Sequence, residues 1–106
     1  MIYITVSTGI GGGIICGGQL LYGHNGLAGE VGHQTIVQNG PRCNCGNRGC
    51  LEAVASGTAI GREARALART GHAPFLLSLA QGEVNAIDAA LVSKAAEEGN
   101  RVAQRL

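Results

Sequence analysis

Between Glu30 and Glu52 this sequence gathers three thiols and an imidazole: Glu30-Val-Gly-His33 is followed by Pro41-Arg-Cys43-Asn-Cys45-Gly-Asn-Arg-Gly-Cys50-Leu-Glu52. Four soft ligands in so short a stretch constrain the backbone strongly, because they must converge on one point if they are to serve one ion. Zinc in a closed, non-catalytic site takes four tetrahedral sulfur and nitrogen ligands, and a Cys3His set is one of its standard complements. Cys43 and Cys45 are too close in sequence to form a relaxed disulfide, which demands a fixed separation and a near-perpendicular torsion. Both can point at one ion. Gly46 and Gly49 punctuate the segment where positive φ angles would let Cys50 turn back toward the first two sulfurs. The reading is a metal knuckle with His33, Cys43, Cys45 and Cys50 as ligands.

Two carboxylates flank that knuckle. Glu30 precedes His33 by three residues and Glu52 follows Cys50 by two. A zinc-bound histidine keeps its second ring nitrogen as an oriented N–H donor, and carboxylates accept hydrogen bonds from hydroxyls. Two carboxylates and an imidazole can hold a polyol. The alternative is a purely structural metal with two unrelated surface glutamates.

A second feature is Val6-Ser7-Thr8-Gly9-Ile10-Gly11-Gly12-Gly13-Ile14-Ile15, a glycine cluster between β-branched runs. Successive unobstructed backbone N–H groups suit a phosphate. No Gly-Lys-Ser/Thr follows, so this is not a Walker A loop, and no helix is expected at Ile14, which argues against a dinucleotide fingerprint. The flanks, Ile2–Val6, Gly13–Cys16 and Gln19–Tyr22 across Gly17-Gly18, predict an antiparallel meander with tight turns. Hairpin-making alone remains an alternative account of the glycines.

Taken together, Thr8–Gly13, Gly26-Leu-Ala-Gly-Glu30-Val-Gly-His33 and the run Cys43–Glu52 resemble, in order and spacing, the ROK family of sugar kinases and sugar-responsive repressors. The resemblance is densest from about Thr5 to Arg65. It implies an α/β fold of the actin-like, hexokinase (ribonuclease H-like) ATPase type, here a part of that domain: an antiparallel meander, a zinc knuckle, then helices. By resemblance Thr8, Gly9, Gly11, Gly12 and Gly13 contact the phosphates of ATP, which binds with Mg2+. Glu30, His33 and Glu52 hold the sugar hydroxyls, and His33, Cys43, Cys45 and Cys50 carry a structural zinc that fixes the sugar-binding groups. Residues 1–40 form the meander with the phosphate loop, 41–55 the knuckle and 56–106 the helical part. A homo-oligomer, a dimer in the simplest case, is expected.

The complete kinases of that family also carry an earlier phosphate loop and an Asn-Asp pair whose aspartate is the catalytic base. No motif in this sequence corresponds to either, so no catalytic residue is assigned. The one aspartate is Asp88, in a stretch expected to be helical. Phosphoryl transfer depends on complete positioning and charge stabilisation, so the chain is expected to be part of a kinase and inactive by itself.

With 106 residues and 3% aromatics the core must be small and aliphatic. A net charge of +1 with no basic run provides no footprint for nucleic acid. No secretory signal or membrane-spanning stretch is evident, so a cytoplasmic protein is expected, where reduced thiols favour metal over disulfides. Cys16, in an apolar strand, is expected to be a small buried residue. Arg42 and Arg48 flank the cysteines and either offset the charge of a zinc tris-thiolate or are ordinary surface arginines. His24 and His72 read as a solvent-exposed loop residue and a helix-end residue.

After the knuckle the apolar period lengthens. Leu51–Ala55 predicts a short helical turn, and Ser56 or Thr58 caps a helix whose Ile60, Ala64, Leu67 and Ala68 share a face. Gly71 ends it. Pro74–Leu79, Asn85–Glu98 and Arg101–Leu106 predict three further helices, the second stopped at Gly99. Two functions follow from the resemblance: an ATP-dependent hexose kinase, with glucose the leading substrate, or a sugar-sensing repressor with the cleft as effector site.

Overall fold

The computed structural model describes residues 1–106. It divides into two compact units, Met1–Ser56 and Gly57–Leu106.

The first unit opens with an antiparallel sheet in the order β1-β2-β3. Strand β1 (Ile2–Val6) pairs with β2 (Ile10–Cys16) from Ile2↔Ile14 to Val6↔Ile10. Gly17 and Gly18, with φ of 59° and 78°, make the two-residue turn into β3 (Gln19–Leu20), since a type I′ turn needs positive φ at both central positions. The meander is as expected, with one difference at the glycine cluster. Gly11, Gly12 and Gly13 lie inside β2, opposite Thr5, Ile4 and Tyr3, and the connecting turn is only Ser7-Thr8-Gly9. Ladder hydrogen bonds need no side chain, so glycine here joins the strand; the consequence is that β1 faces bare backbone. Ile2, Tyr3, Ile4 and Val6 are all exposed.

Cys16 corrects the sequence expectation. It is exposed, not buried, because it is the last residue of β2 and leads straight into the turn. The buried apolar side chains of this unit lie elsewhere: Ile10 at the start of β2, and a small cluster of Cys43, Cys50 and Ala53. A 3-10 turn spans Val31–His33, and the short helix α1 spans Leu51–Ala55 as predicted.

The second unit is helical: α2 (Gly57–Arg69), α3 (Pro74–Leu79), α4 (Ala89–Glu97) and α5 (Arg101–Arg105). Its core is alanine-rich around fully buried Leu76 and Ile87, with Ala64, Ala68, Val92 and Ala95 closely packed. Ile60 and Leu67 pack against it, which completes the face expected of α2. Gly71, with φ of 79°, ends that helix while His72 N–H returns to Leu67 O at 2.9 Å, a helix-stop geometry that favours glycine.

The helix predicted over Asn85–Glu98 begins later than Asn85. Val84–Ala86 is a 3-10 turn, and Asp88 caps α4 by accepting a hydrogen bond from Leu91 N–H at 2.9 Å. An aspartate that bonds the third amide ahead satisfies an otherwise orphan donor and starts a helix. The residue read as helical interior is its N-cap. Asn100 does the same for α5 through Ala103 N–H.

Candidate metal and ligand site

The knuckle is folded by its own backbone before any ion is considered. Cys43 N–H donates to Asn47 O at 2.8 Å, Gly46 N–H to Cys43 O at 3.0 Å, and Gly49 N–H to Pro41 O at 2.8 Å. Arg42 and Arg48 are bridge partners, and Thr35 bridges to Cys50. Gly49 has φ of 73°, and a Cβ there would run into Val37 O, so only glycine lets the chain double back beside residues 36–40. Gly46 likewise has positive φ. The turn from Cys45 to Cys50 is therefore the one that the glycine positions predict.

This path brings one ligand atom from each of His33, Cys43, Cys45 and Cys50 within 4.8 Å of one another. Cys45 Sγ lies 3.6 Å from Cys50 Sγ, and Cys43 Sγ lies 3.6 Å from His33 Nδ1. A tetrahedral zinc with ordinary bond lengths sets such edges at about 3.8 Å between sulfurs and about 3.5 Å between sulfur and nitrogen. The donors fit zinc in number and type, and these two separations fit it in spacing.

The thiols differ in their readiness to ionise. Cys45, exposed, is lowered to about 7, chiefly by a hydrogen bond from the Asn47 backbone and by the Cys43 side chain. Cys50 is pushed up to about 12 by desolvation and by the two neighbouring sulfurs. Three sulfurs this close do not all become thiolates without a cation between them; a divalent ion supplies it.

The second nitrogen of His33 faces the other way. Its Nε2 lies 3.8 Å from Glu30 Oε2. The 3-10 turn accounts for this, since residues three apart eclipse in that geometry. One ring edge is thus turned to the sulfurs and the other to a carboxylate on the half-exposed side.

Glu52 sits in the first turn of α1, directly after Cys50, and its Oε2 accepts the Ile10 N–H at 2.8 Å. Sequence reasoning missed this bond, which joins residues 42 apart. The one signal available was Gly9: a Cβ there would overlap Glu52 Oε2. The glycines of the second motif have the same kind of role, for a Cβ on Gly32 would strike Ile10 O, and one on Gly12 would come within 2.6 Å of Gly29 O. Two of the motifs read separately in the sequence are thus packed backbone to backbone, and the third is joined to them through the Glu52 side chain. Thr8 and Gly9 occupy the turn, and Gly11 to Gly13 the strand beyond it.

The sequence model described as "ROK family" matches residues 1–106. The chain belongs to the ROK family. It is 46% identical over 103 residues to the glucokinase of Thermotoga maritima, covering 97% of this chain and 32% of that protein. It is 42% identical over 106 residues to the N-acetylmannosamine kinase of Escherichia fergusonii, covering 100% and 31%. Among solved structures it is similar to a ROK family glucokinase from Streptomyces griseus in complex with glucose and AMPPNP. There the TM-score is 0.81 at 46% identity, over 96% of this chain and 33% of that one. It is also similar to a ROK family transcriptional regulator, a homolog of the E. coli MLC protein, at TM-score 0.68 and 34% identity over 96% and 24%. The chain spans about a third of the length of the curated relatives it matches. The α/β fold of the actin-like, hexokinase type is therefore that of this ROK chain. No helix is long and apolar enough to cross a membrane.

Proposed function

We propose that this chain is the sugar-holding and phosphate-holding part of an ATP-dependent hexose kinase, with glucose as the leading substrate. The observation that carries the reading is the two-sided placement of His33: Nδ1 toward the sulfur cluster, Nε2 toward Glu30. An imidazole fixed in this way by zinc presents an N–H donor beside a carboxylate acceptor, the pairing that a sugar's vicinal hydroxyls need. Glu52 supplies a second carboxylate next to the same knuckle. Thr8, Gly9 and Gly11 to Gly13 face the phosphates of Mg-ATP, and His33, Cys43, Cys45 and Cys50 hold zinc. In this reading 1–40 is the phosphate-loop meander, 41–55 the knuckle and 56–106 the helical part.

The names of the relatives bear on the substrate. Glucokinase and N-acetylmannosamine kinase match at 46% and 42% identity, which supports a hexose or an N-acetylated hexosamine as the substrate class. The chain alone is expected to show no turnover, because its single aspartate is engaged as the α4 cap and transfer needs a base at the accepting hydroxyl.

Likeness to the MLC-like regulator favours one other reading, a sugar-sensing repressor. Isothermal titration of the full-length protein with glucose, N-acetylmannosamine and AMPPNP separates them. A kinase binds sugar and nucleotide and turns over. A protein that binds sugar and operator DNA but no nucleotide is the repressor, and one that binds neither sugar nor nucleotide leaves only a metal-stabilised module.

A further inference from the structure

The Glu52–Ile10 bond joins the knuckle to the turn that precedes β2. Ile10 is the one buried large aliphatic of the sheet, and its backbone is gripped on both sides: Glu52 Oε2 accepts its N–H at 2.8 Å, and Gly32 packs so closely that a Cβ would strike its carbonyl oxygen. Hydrogen bonds from a backbone amide to a carboxylate are shorter and stronger than neutral ones. Glu52 is itself placed by Cys50, two residues earlier, where the knuckle passes into α1. A continuous path therefore runs from the metal ligands through Cys50 and α1 to the Glu52 carboxylate, and from there to Ile10 and the Ser7-Thr8-Gly9 turn. We propose that Glu52 is a positioning residue for the phosphate turn, so that the metal knuckle sets nucleotide affinity as well as sugar affinity. This inference rests on the kinase reading above and deepens it: one carboxylate oxygen holds the turn and Oε1 is left for a sugar hydroxyl.

The structure separates the two glutamates, and the test uses that separation. Glu30 approaches only His33, so Glu30→Gln affects sugar and leaves nucleotide affinity alone. Glu52→Ala removes the acceptor from Ile10 and is expected to weaken AMPPNP binding to the sugar-free full-length protein about tenfold or more. Glu52→Gln keeps a carbonyl acceptor at the same reach and restores most of that loss. Metal per chain is measured on every variant. If Glu52→Ala loses metal or fails to fold, Glu52→Asp decides, because its shorter side chain keeps the charge and draws the carboxylate back from the Ile10 N–H. A weakened nucleotide with intact metal supports the proposal. AMPPNP affinity within about twofold of wild type in a metal-replete Glu52→Ala or Glu52→Asp protein overturns it, as does an Ile10 amide whose hydrogen exchange is no faster in the variant. Sugar titrations on the same proteins keep the failures apart. Normal sugar affinity with weakened AMPPNP removes Glu52 from the sugar site and leaves the positioning role standing. The reverse pattern leaves the sugar role and removes the positioning one. A wild-type protein that binds no nucleotide overturns the kinase reading and, with it, the positioning role, and leaves the sugar role standing.

Discussion

Residues 1–56 and 57–106 are held together by different physics. In the helical unit the side chains supply the order: Leu76 and Ile87 are wholly buried, alanines close the gaps between helices, and side-chain caps from Asp88 and Asn100 start α4 and α5. In the first unit large apolar side chains such as Ile2, Ile4, Leu21 and Leu27 are exposed, and the buried contacts are largely backbone against backbone at glycines or sulfur against sulfur. Burial of apolar area stabilises the one; ladder pairing, close glycine contacts and four converging donors that fit a metal ion mark the other. The half that carries the candidate metal site is the half with the least hydrophobic core, and four converging sulfur and nitrogen donors stand where a core would.

Removing the metal is the most severe way to break this contrast. Structural zinc contributes on the order of 10 kcal/mol or more to the folding of small zinc modules. Chelation, or Cys45→Ser in the full-length protein, should abolish sugar binding and raise amide exchange across residues 31–56 while exchange in α2 and α4 stays unchanged. Equal loss of protection in both units would show that the division is not energetic. The mirror experiment is Leu76→Ala, expected to cost about 2–5 kcal/mol in denaturant unfolding with metal content still at one per chain.

Glu30→Gln sharpens the comparison inside the first unit. A hydrogen bond to a charged group contributes about 1.5–3 kcal/mol, which predicts a sugar dissociation constant raised about ten- to a hundredfold with zinc unchanged. Loss of zinc instead of sugar affinity would make Glu30 a support of the metal.

Proton competition provides a smaller effect with a definite sign. Zinc binds thiolates, so binding expels the Cys50 proton at any pH below about 12. Cys45 is already largely ionised above about 7 and protonated below it. The apparent zinc affinity should therefore fall with decreasing pH, and the fall should steepen by about one further factor of ten per pH unit below about 7. Chelator competition between pH 8 and pH 6 measures the slope; a constant slope would mean that Cys45 does not titrate there. The smallest change is Asp88→Ala, about 1 kcal/mol of stability from the lost α4 cap, with zinc and sugar binding unaffected.

The sequence by itself determined the parts whose rules are local. The four metal donors, the Gly46 and Gly49 turns, the meander with its Gly17-Gly18 turn, the apolar face of α2 and its stop at Gly71 all depend on residues a few positions apart, where ligand chemistry, φ preferences and periodicity can be read along the chain. What depended on residues brought together from far apart was not legible. Asp88 is the local exception: its bond to Leu91 N–H spans three residues, but a capping aspartate and a helical one look alike along the chain. Cys16 passed for a core residue because its strand reads apolar, whereas burial requires a second layer that β1 and its glycine partners do not provide. The Glu52–Ile10 bond spans 42 residues, and neither residue type implies the other. Only the tertiary structure decided that the glycines of two motifs serve close backbone packing, because a missing Cβ has no meaning until the atom that would strike it is in place.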